Sequence, residues 1–335
     1  MGGLTYNSIS QTRMATGEIY CQTLIEMAET DPRIVALTAD LGKSSKIGAF
    51  MERFPDRFYQ MGIAEQNMYA VAAGMAKSGL IPFTSSFAIF ASCRALDQVH
   101  TDICYQNVPV KMISSHAGTS FGQAGTTHHS TEDIAIMRSL ANLTVICPAD
   151  GMETANAVRA AVEIPGPVYI RINRGYDQQV YEDLDYGFEV GKAVELHPGS
   201  DLTIIAMGST VFQALQAARE LDAVDKIKAR VLDMHTVKPI DREAIIKAVH
   251  DTRRVVTVED HTVIGGLGGA VAEVIAESGM GCAFRRLGLQ DCFSPIGLHE
   301  DLMSYHGIDT NGILKSVREL MQLDFEEDED WADEV

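Results

Sequence analysis

The stretch VPVKMISS, residues 108–115, is an apolar, β-branched run that closes on two serines and His116. A run of this kind reads as a strand buried on both faces. The pattern recurs at IVALTAD (34–40), LTVICPA (143–149) and PVYIRIN (167–173), and after residue 200 at LTIIAMG (202–208), ARVLDMH (229–235), RVVTVED (254–260) and FRRLGL (284–289). Helical stretches lie between them. Asp150 with Glu153 three residues on has the form of a capping box and heads METANAVRAAVEI. A second helix, DREAIIKAVHD, follows Pro239. Strands alternating with helices predict an α/β fold, with mainly parallel sheets flanked by helices. In such sheets ligands bind beyond the carboxyl ends of the strands. Asp40, His116 and Arg174 each follow a strand at that end, which argues for a ligand site in the first half of the chain.

The chain has 335 residues, which suits two domains. A polar stretch, RGYDQQVYEDLDYGFEVGK (174–192), separates the two sets of strands and sets the expected boundary, with one domain over 1–190 and the other over 191–323. Residues 324–335 form a tail: DFEEDEDWADEV, the last twelve residues, hold eight acids and no base and read as a solvated terminus. The formal net charge is −19, from 46 acidic and 27 basic residues. So acidic a chain is a poor non-specific binder of nucleic acid, though a local Arg or His still makes a positive pocket for a small anion. No run of about 18 apolar residues is present, so no membrane span is expected. The first residues, MGGLTYNSISQTRMATGE, lack the apolar centre of a secretory signal, and the six cysteines form no CxxC pair. Both features lead us to expect a cytoplasmic protein.

Several tempting motifs fail. Gly42-Lys43-Ser44-Ser45 looks like the end of a phosphate loop, but the pattern needs a glycine where Leu37 stands. GGLGGA (265–270) lacks the third glycine in register, and close helix packing is the better reading. No Cys/His cluster has zinc spacing, and no GxSxG elbow occurs. The segment GIAEQNM (62–68) differs from these. It opens an apolar helix, MYAVAAGMA, with Glu65, and a carboxylate at the head of a buried helix needs a partner. The plainer reading gives Glu65 the amides of the helix head. PFTSSFAIF (82–90) follows, with Phe87 and Phe90 three apart, a spacing that serves a core as readily as a ligand platform.

In order, TADLGKSS (38–45), GIAEQNM, PFTSSFAIF, SHAGTSFGQAGTTHHSTED (115–133), PAD (148–150) and YIRINRG (169–175) resemble the pyrimidine-binding half of transketolases. VVTVEDHTVIGGLGGAVAEVIAE (255–277) resembles the transketolase C-terminal domain. The resemblance covers almost the whole chain. The GDG motif that marks the family's diphosphate-binding domain is absent, so the chain resembles the C-terminal subunit of a split transketolase.

The resemblance implies thiamine diphosphate as cofactor, with Mg²⁺ held by ligands on a partner chain. It implies a two-carbon ketol transfer from a ketose phosphate to an aldose phosphate. The partner is then an N-terminal subunit, and two copies of each chain form an α2β2 assembly. Glu65 matches the glutamate that hydrogen-bonds the aminopyrimidine, and Phe87 and Phe90 match aromatics beside that ring. His128 matches a histidine near the reacting carbons, with His129 behind it. Asp40 and Leu41 would shape the cofactor cleft, while Arg13, Ser44, His116 and Arg174 match positions that grip the sugar phosphate. One departure stands out: where transketolases carry an acid just before the glycine of the Gly-x-x-His segment, this chain has Ala124, preceded by Gln123. Losing a carboxylate that reads a hydroxyl implies an altered donor. Two other readings share the fold: the β chain of a thiamine-dependent 2-oxoacid dehydrogenase, and a non-catalytic paralogue.

Overall fold

A computed structural model describes residues 15–175 and 177–322. Arg13 and the acidic tail lie outside the described residues. Among the described residues there are two sheets. The first has seven strands: β1 (Ile34–Thr38), β2 (Phe58–Gln60), β3 (Ile81–Phe87), β4 (Lys111–Ser115), β5 (Thr144–Ile146), β6 (Val168–Arg171) and, from the second half of the chain, β10 (Thr236–Lys238). The second has five: β7 (Val194–His197), β8 (Leu202–Ala206), β9 (Ala229–Asp233), β11 (Arg254–Thr262) and β12 (Ala283–Leu289). The strand orders are β10-β5-β6-β4-β3-β1-β2 and β12-β11-β8-β9-β7. All pairings are parallel except at two edges, where β10 runs antiparallel to β5 and β7 to β9. Helices flank both sheets, as the alternation of patterns predicts.

The first sheet gathers the expected site. β6, β4, β3 and β1 are consecutive neighbours and parallel. Their carboxyl ends therefore point the same way, and the residues just beyond them, Arg174, His116, Phe90 and Asp40, collect along one rim. The helix α1 (Glu65–Lys77) starts at that rim. Met68, Tyr69, Ala72, Ala73 and Ala76 bury its apolar face within the chain itself. β10 crosses the expected boundary at 190: Thr236 pairs with Ile146 and Lys238 with Val145. One apolar core runs through both halves, joining Leu37, Met112 and Tyr169 to Met207, Leu232 and Val271.

Two expectations about helix heads can be checked directly. Helix α2 (Gly151–Glu163) is capped by Asp150, whose carboxylate accepts the Glu153 amide at 2.9 Å. The Glu153 side chain does not complete a box on Asp150; it accepts the amide of Ala149 at 2.7 Å. Helix α3 (Leu267–Ser278) is headed by the glycine-rich segment. Buried Glu259 accepts the amides of Leu267 and Gly268 at 2.7 and 2.8 Å. A Cβ at Gly266 would lie 2.0 Å from the Glu259 carboxylate. The glycines serve close helix packing, as read from the sequence, and the structure adds the carboxylate onto which the helix packs.

Candidate active site

Gly62, at φ +72°, turns the chain into α1, and Glu65 is the first helical residue. Its side chain is 2% exposed. The partner it needs is Arg94, whose Nη1 lies 2.8 Å from Oε1. Arg94 belongs to a wide helical turn, Phe90–Arg94, that follows β3 directly. The same guanidinium stands 3.8 Å from the centre of the Phe90 ring. Glu65, Arg94 and Phe90 thus form a sandwich in which a flat cation lies on an aromatic face and bonds a carboxylate.

Phe87 is buried behind Phe90, with ring centres 5.5 Å apart. His116 stacks on Phe87 at 3.9 Å. It is buried, and its Nδ1 shares a hydrogen bond with the Ser115 hydroxyl at 3.0 Å. Burial pushes the His116 imidazole down to about 3, and the nearby Arg174 cation acts in the same direction. His116 is therefore neutral at physiological pH. His128 stands edge-on to Phe90 at 5.5 Å and to Phe121 at 5.6 Å, and its Nδ1 shares a hydrogen bond with Thr127.

Asp40, Leu41, Glu65, Phe90 and His128 line one cleft of about 330 Å³, together with Ile63, Arg94 and Thr127. Ile63 is 77% exposed at its mouth. Arg174 lines a second cavity of about 300 Å³ with Ser120, Gln123, Asp177 and His299. Phe121 stands between the two, since the Arg174 guanidinium lies 4.8 Å from its ring centre. Burial raises the Asp177 carboxyl to about 6, against hydrogen bonds from Asn173 at 2.7 Å and Thr16 at 3.1 Å.

Five of the residues singled out from the sequence thus share one cleft, and Arg174 lies next door. Phe87 and His116 sit behind the cleft, in its aromatic wall. Ser44 is exposed on the turn after β1 and lines neither cavity. Arg94 and Phe121 escaped sequence reasoning. Arg94 does carry a signal, because it lies four residues after Phe90 in a helical turn. Phe121 carries none. Among the described residues no cluster of three or more His, Cys, Asp or Glu side chains suits a metal ion. No described helix is long and apolar enough to cross a membrane.

Comparison with known proteins bears on this geometry. Residues 12–177 match the family model "Transketolase, pyrimidine binding domain" and residues 191–313 match "Transketolase, C-terminal domain". A Methanocaldococcus jannaschii protein described as a candidate transketolase C-terminal section is 44% identical over 90% of this chain and 95% of its own length. The chain belongs to the transketolase family. A second relative of this transketolase-family chain is one of the subunits of an apulose-4-phosphate transketolase from Phocaeicola vulgatus, 38% identical over 94% of this chain and all of that protein. Among solved structures, a split-gene transketolase described as an inactive β4 tetramer superimposes with a TM-score of 0.84 at 41% identity, covering 93% of this chain and 99% of that one.

Proposed function

We propose that this chain is the C-terminal subunit of a two-chain, thiamine-diphosphate-dependent transketolase that moves a two-carbon ketol unit from a ketose phosphate to an aldose phosphate. The observation that carries the proposal is the Glu65–Arg94–Phe90 sandwich at the floor of the cleft. A flat, nitrogen-bearing group stacks there on an aromatic face while its N–H meets a buried carboxylate. The Arg94 guanidinium stands in for an aminopyrimidine, so the residues present fit that ring. When bound, thiamine diphosphate supplies a nucleophilic thiazolium carbon, the chemistry that no side chain offers.

The chain's own residues do the rest. Glu65 holds a proton between its carboxyl and the pyrimidine nitrogen. Phe90 orients the ring, and Phe87 and His116 back it. Asp40 and Leu41 wall the cleft. His128, which also lines the cleft, donates a hydrogen bond to oxygens of the reacting sugar. Arg174 pairs with the phosphate from the neighbouring cavity, an arrangement suited to a guanidinium. Neutral His116 offers phosphate a hydrogen bond at most. Arg13 and Ser44 join the phosphate grip on the strength of the resemblance alone.

The diphosphate and its Mg²⁺ fall to an N-terminal partner subunit in an α2β2 assembly, which we place in the cytoplasm. Ala124, in the short turn Gly122–Ala124, offers a donor hydroxyl no carboxylate, whereas Gln123 lines the Arg174 cavity. We infer a ketose donor outside the usual pentose set. One relative carries the name of an apulose-4-phosphate enzyme, in line with that inference.

The test is calorimetric titration of thiamine diphosphate and Mg²⁺ into the chain alone and into its complex with the N-terminal subunit. Binding only in the complex is expected, followed by transfer activity on a panel of ketose phosphates. Glu65→Gln should lower that activity by roughly a hundredfold or more, because it removes the proton partner. Tight Mg²⁺-dependent binding by the chain alone, or a fully active Glu65→Gln complex, would overturn the proposal.

A further inference from the structure

His116 precedes, and His128 lies within, one loop, residues 118–130, whose base is closed by its own backbone. Gly118 and Ser130 exchange amide–carbonyl hydrogen bonds at 2.9 and 3.0 Å. Beyond contacts within the first domain, such as the Arg174 amide on the Ser120 hydroxyl at 3.1 Å, the loop is also held by the second domain. Asp260, at the end of β11 and 2% exposed, accepts the Thr119 amide at 2.9 Å and the Thr119 hydroxyl at 3.0 Å. The fit is close: a Cβ on Gly118, which sits at φ +56°, would lie 2.1 Å from Asp260 Oδ2. Buried Arg171 ties this point down, donating to the Asp260 carbonyl at 2.8 Å and the Ser130 carbonyl at 3.1 Å. At the far end of the loop, the Gly297 amide donates to the Gly122 carbonyl at 3.3 Å, and the Ile296 side chain fills the space where a Cβ of Gly125 would be.

A buried carboxylate is costly to desolvate and is retained where its bonds specify one geometry. This one directs its bonds to the backbone and hydroxyl of a single loop residue. We infer that Asp260 is a positioning residue: through Thr119 it fixes the loop that presents His128 to the cleft. The second domain, which among the described residues contributes none to the lining of the Glu65 cleft, thereby sets the geometry of that cleft. The inference rests on the function proposed above, because the loop matters to catalysis only if His128 does.

The test uses the chain assembled with its N-terminal subunit, thiamine diphosphate, Mg²⁺ and a ketose phosphate, and compares Asp260→Asn, Thr119→Val, their double variant and Thr119→Ser. A misplacement on the order of 1 Å costs roughly ten- to a hundredfold in kcat, and that is the loss expected for both single variants. Cofactor half-saturation should stay within about twofold, since Glu65 and Phe90 are untouched. The double variant should be no slower than the slower single, because both disturb the bond from the Thr119 hydroxyl to Asp260. Thr119→Ser should restore the rate. In parallel, amide exchange in the free chain should quicken across residues 118–130 in Asp260→Asn and Thr119→Val. An active wild type whose two single variants keep their kcat would overturn the inference, as would additive losses or unchanged exchange. If the wild-type complex moves no ketol unit, it is the proposed function that falls, and exchange alone then decides whether the loop is held by Asp260.

Discussion

The Glu65 side chain is 2% exposed, while that of Arg94, which bonds it, is 46% exposed. A carboxylate this deeply buried is costly without a partner, whereas a half-hydrated cation gains little from the bond. Arg94 is therefore the more weakly held member of the sandwich, and on the proposed function a planar cofactor ring that takes both the Phe90 face and the Glu65 bond would displace it. Arg94→Ala should lower the melting temperature of the free chain by a few degrees, for a loss of about 1 kcal/mol. It should also tighten cofactor binding in the complex, by up to roughly tenfold. Both effects share one cause, a Glu65 left without its resident partner. Differential scanning fluorimetry and calorimetry would read them, and weaker cofactor binding would instead make Arg94 a cofactor ligand. Glu65 is visible in sequence because a charge at the head of an apolar helix breaks the pattern. Arg94 leaves only its spacing four residues after Phe90, because an arginine in a helical turn breaks no pattern.

At the scale of elements, the start of α2 and the end of β9 bring three acids together across the two sheets. Glu153 accepts the Tyr186 hydroxyl at 2.8 Å and Asp233 accepts that of Tyr181 at 2.7 Å. Asp150 accepts the amides of Val180 and Tyr181. Both tyrosines belong to the segment between the domains, and their rings stack at 3.7 Å. Buried Asp233 stands beside Glu153 and Asp150 in this cluster. Burial raises all three carboxyls, Asp233 to about 7 from an ordinary 3.8. A raised folded value favours the protonated acid, so this contribution is complete below about pH 4 and is lost as pH climbs toward 7. Asp233→Asn keeps the uncharged form at every pH. From pH 5 to pH 8 its melting temperature should fall less than the wild type's, by on the order of 5 °C. Parallel curves for the two proteins would sink this reading. The capping form at Asp150 is legible in sequence, but the cluster is not, because its members lie in the two domains and the segment between them. Strands β2, β7 and β10 are equally hidden, since FYQ, VELH and TVK are short and sit in no continuous apolar run such as those that mark β5 and β6.

At the scale of the molecule, the two halves are distinct in sequence and continuous in structure. β10 completes the first sheet from residues 236–238, and the shared core places Met207, Leu232 and Val271 against Leu37, Met112 and Tyr169. Cutting at residue 190 would strip an edge from β5 and expose one side of that core. Residues 1–190 expressed alone should therefore aggregate or stay partly unfolded in gel filtration and circular dichroism. The intact chain should unfold in a single transition, because no apolar boundary divides it. A monomeric 1–190 fragment with its own sharp transition would show the halves to be independent.

What the sequence determined by itself was local or periodic. The apolar runs ending at Asp40, His116 and Arg174 declared parallel strands with a site at their carboxyl ends, and the ordered motifs around Glu65 and His128 pointed to the family. These signals survive in one dimension because strand burial and helix heads repeat over a few residues. What the tertiary structure decided was every partnership across long separations: Arg94 on Glu65, Phe121 between two cavities, Asp260 on Thr119, Asp233 beside Glu153 and β10 on β5. A buried polar group needs a partner, but its own neighbours in sequence do not say which one. That choice is made by the packing of sheets and helices, which brings together residues that the chain holds far apart.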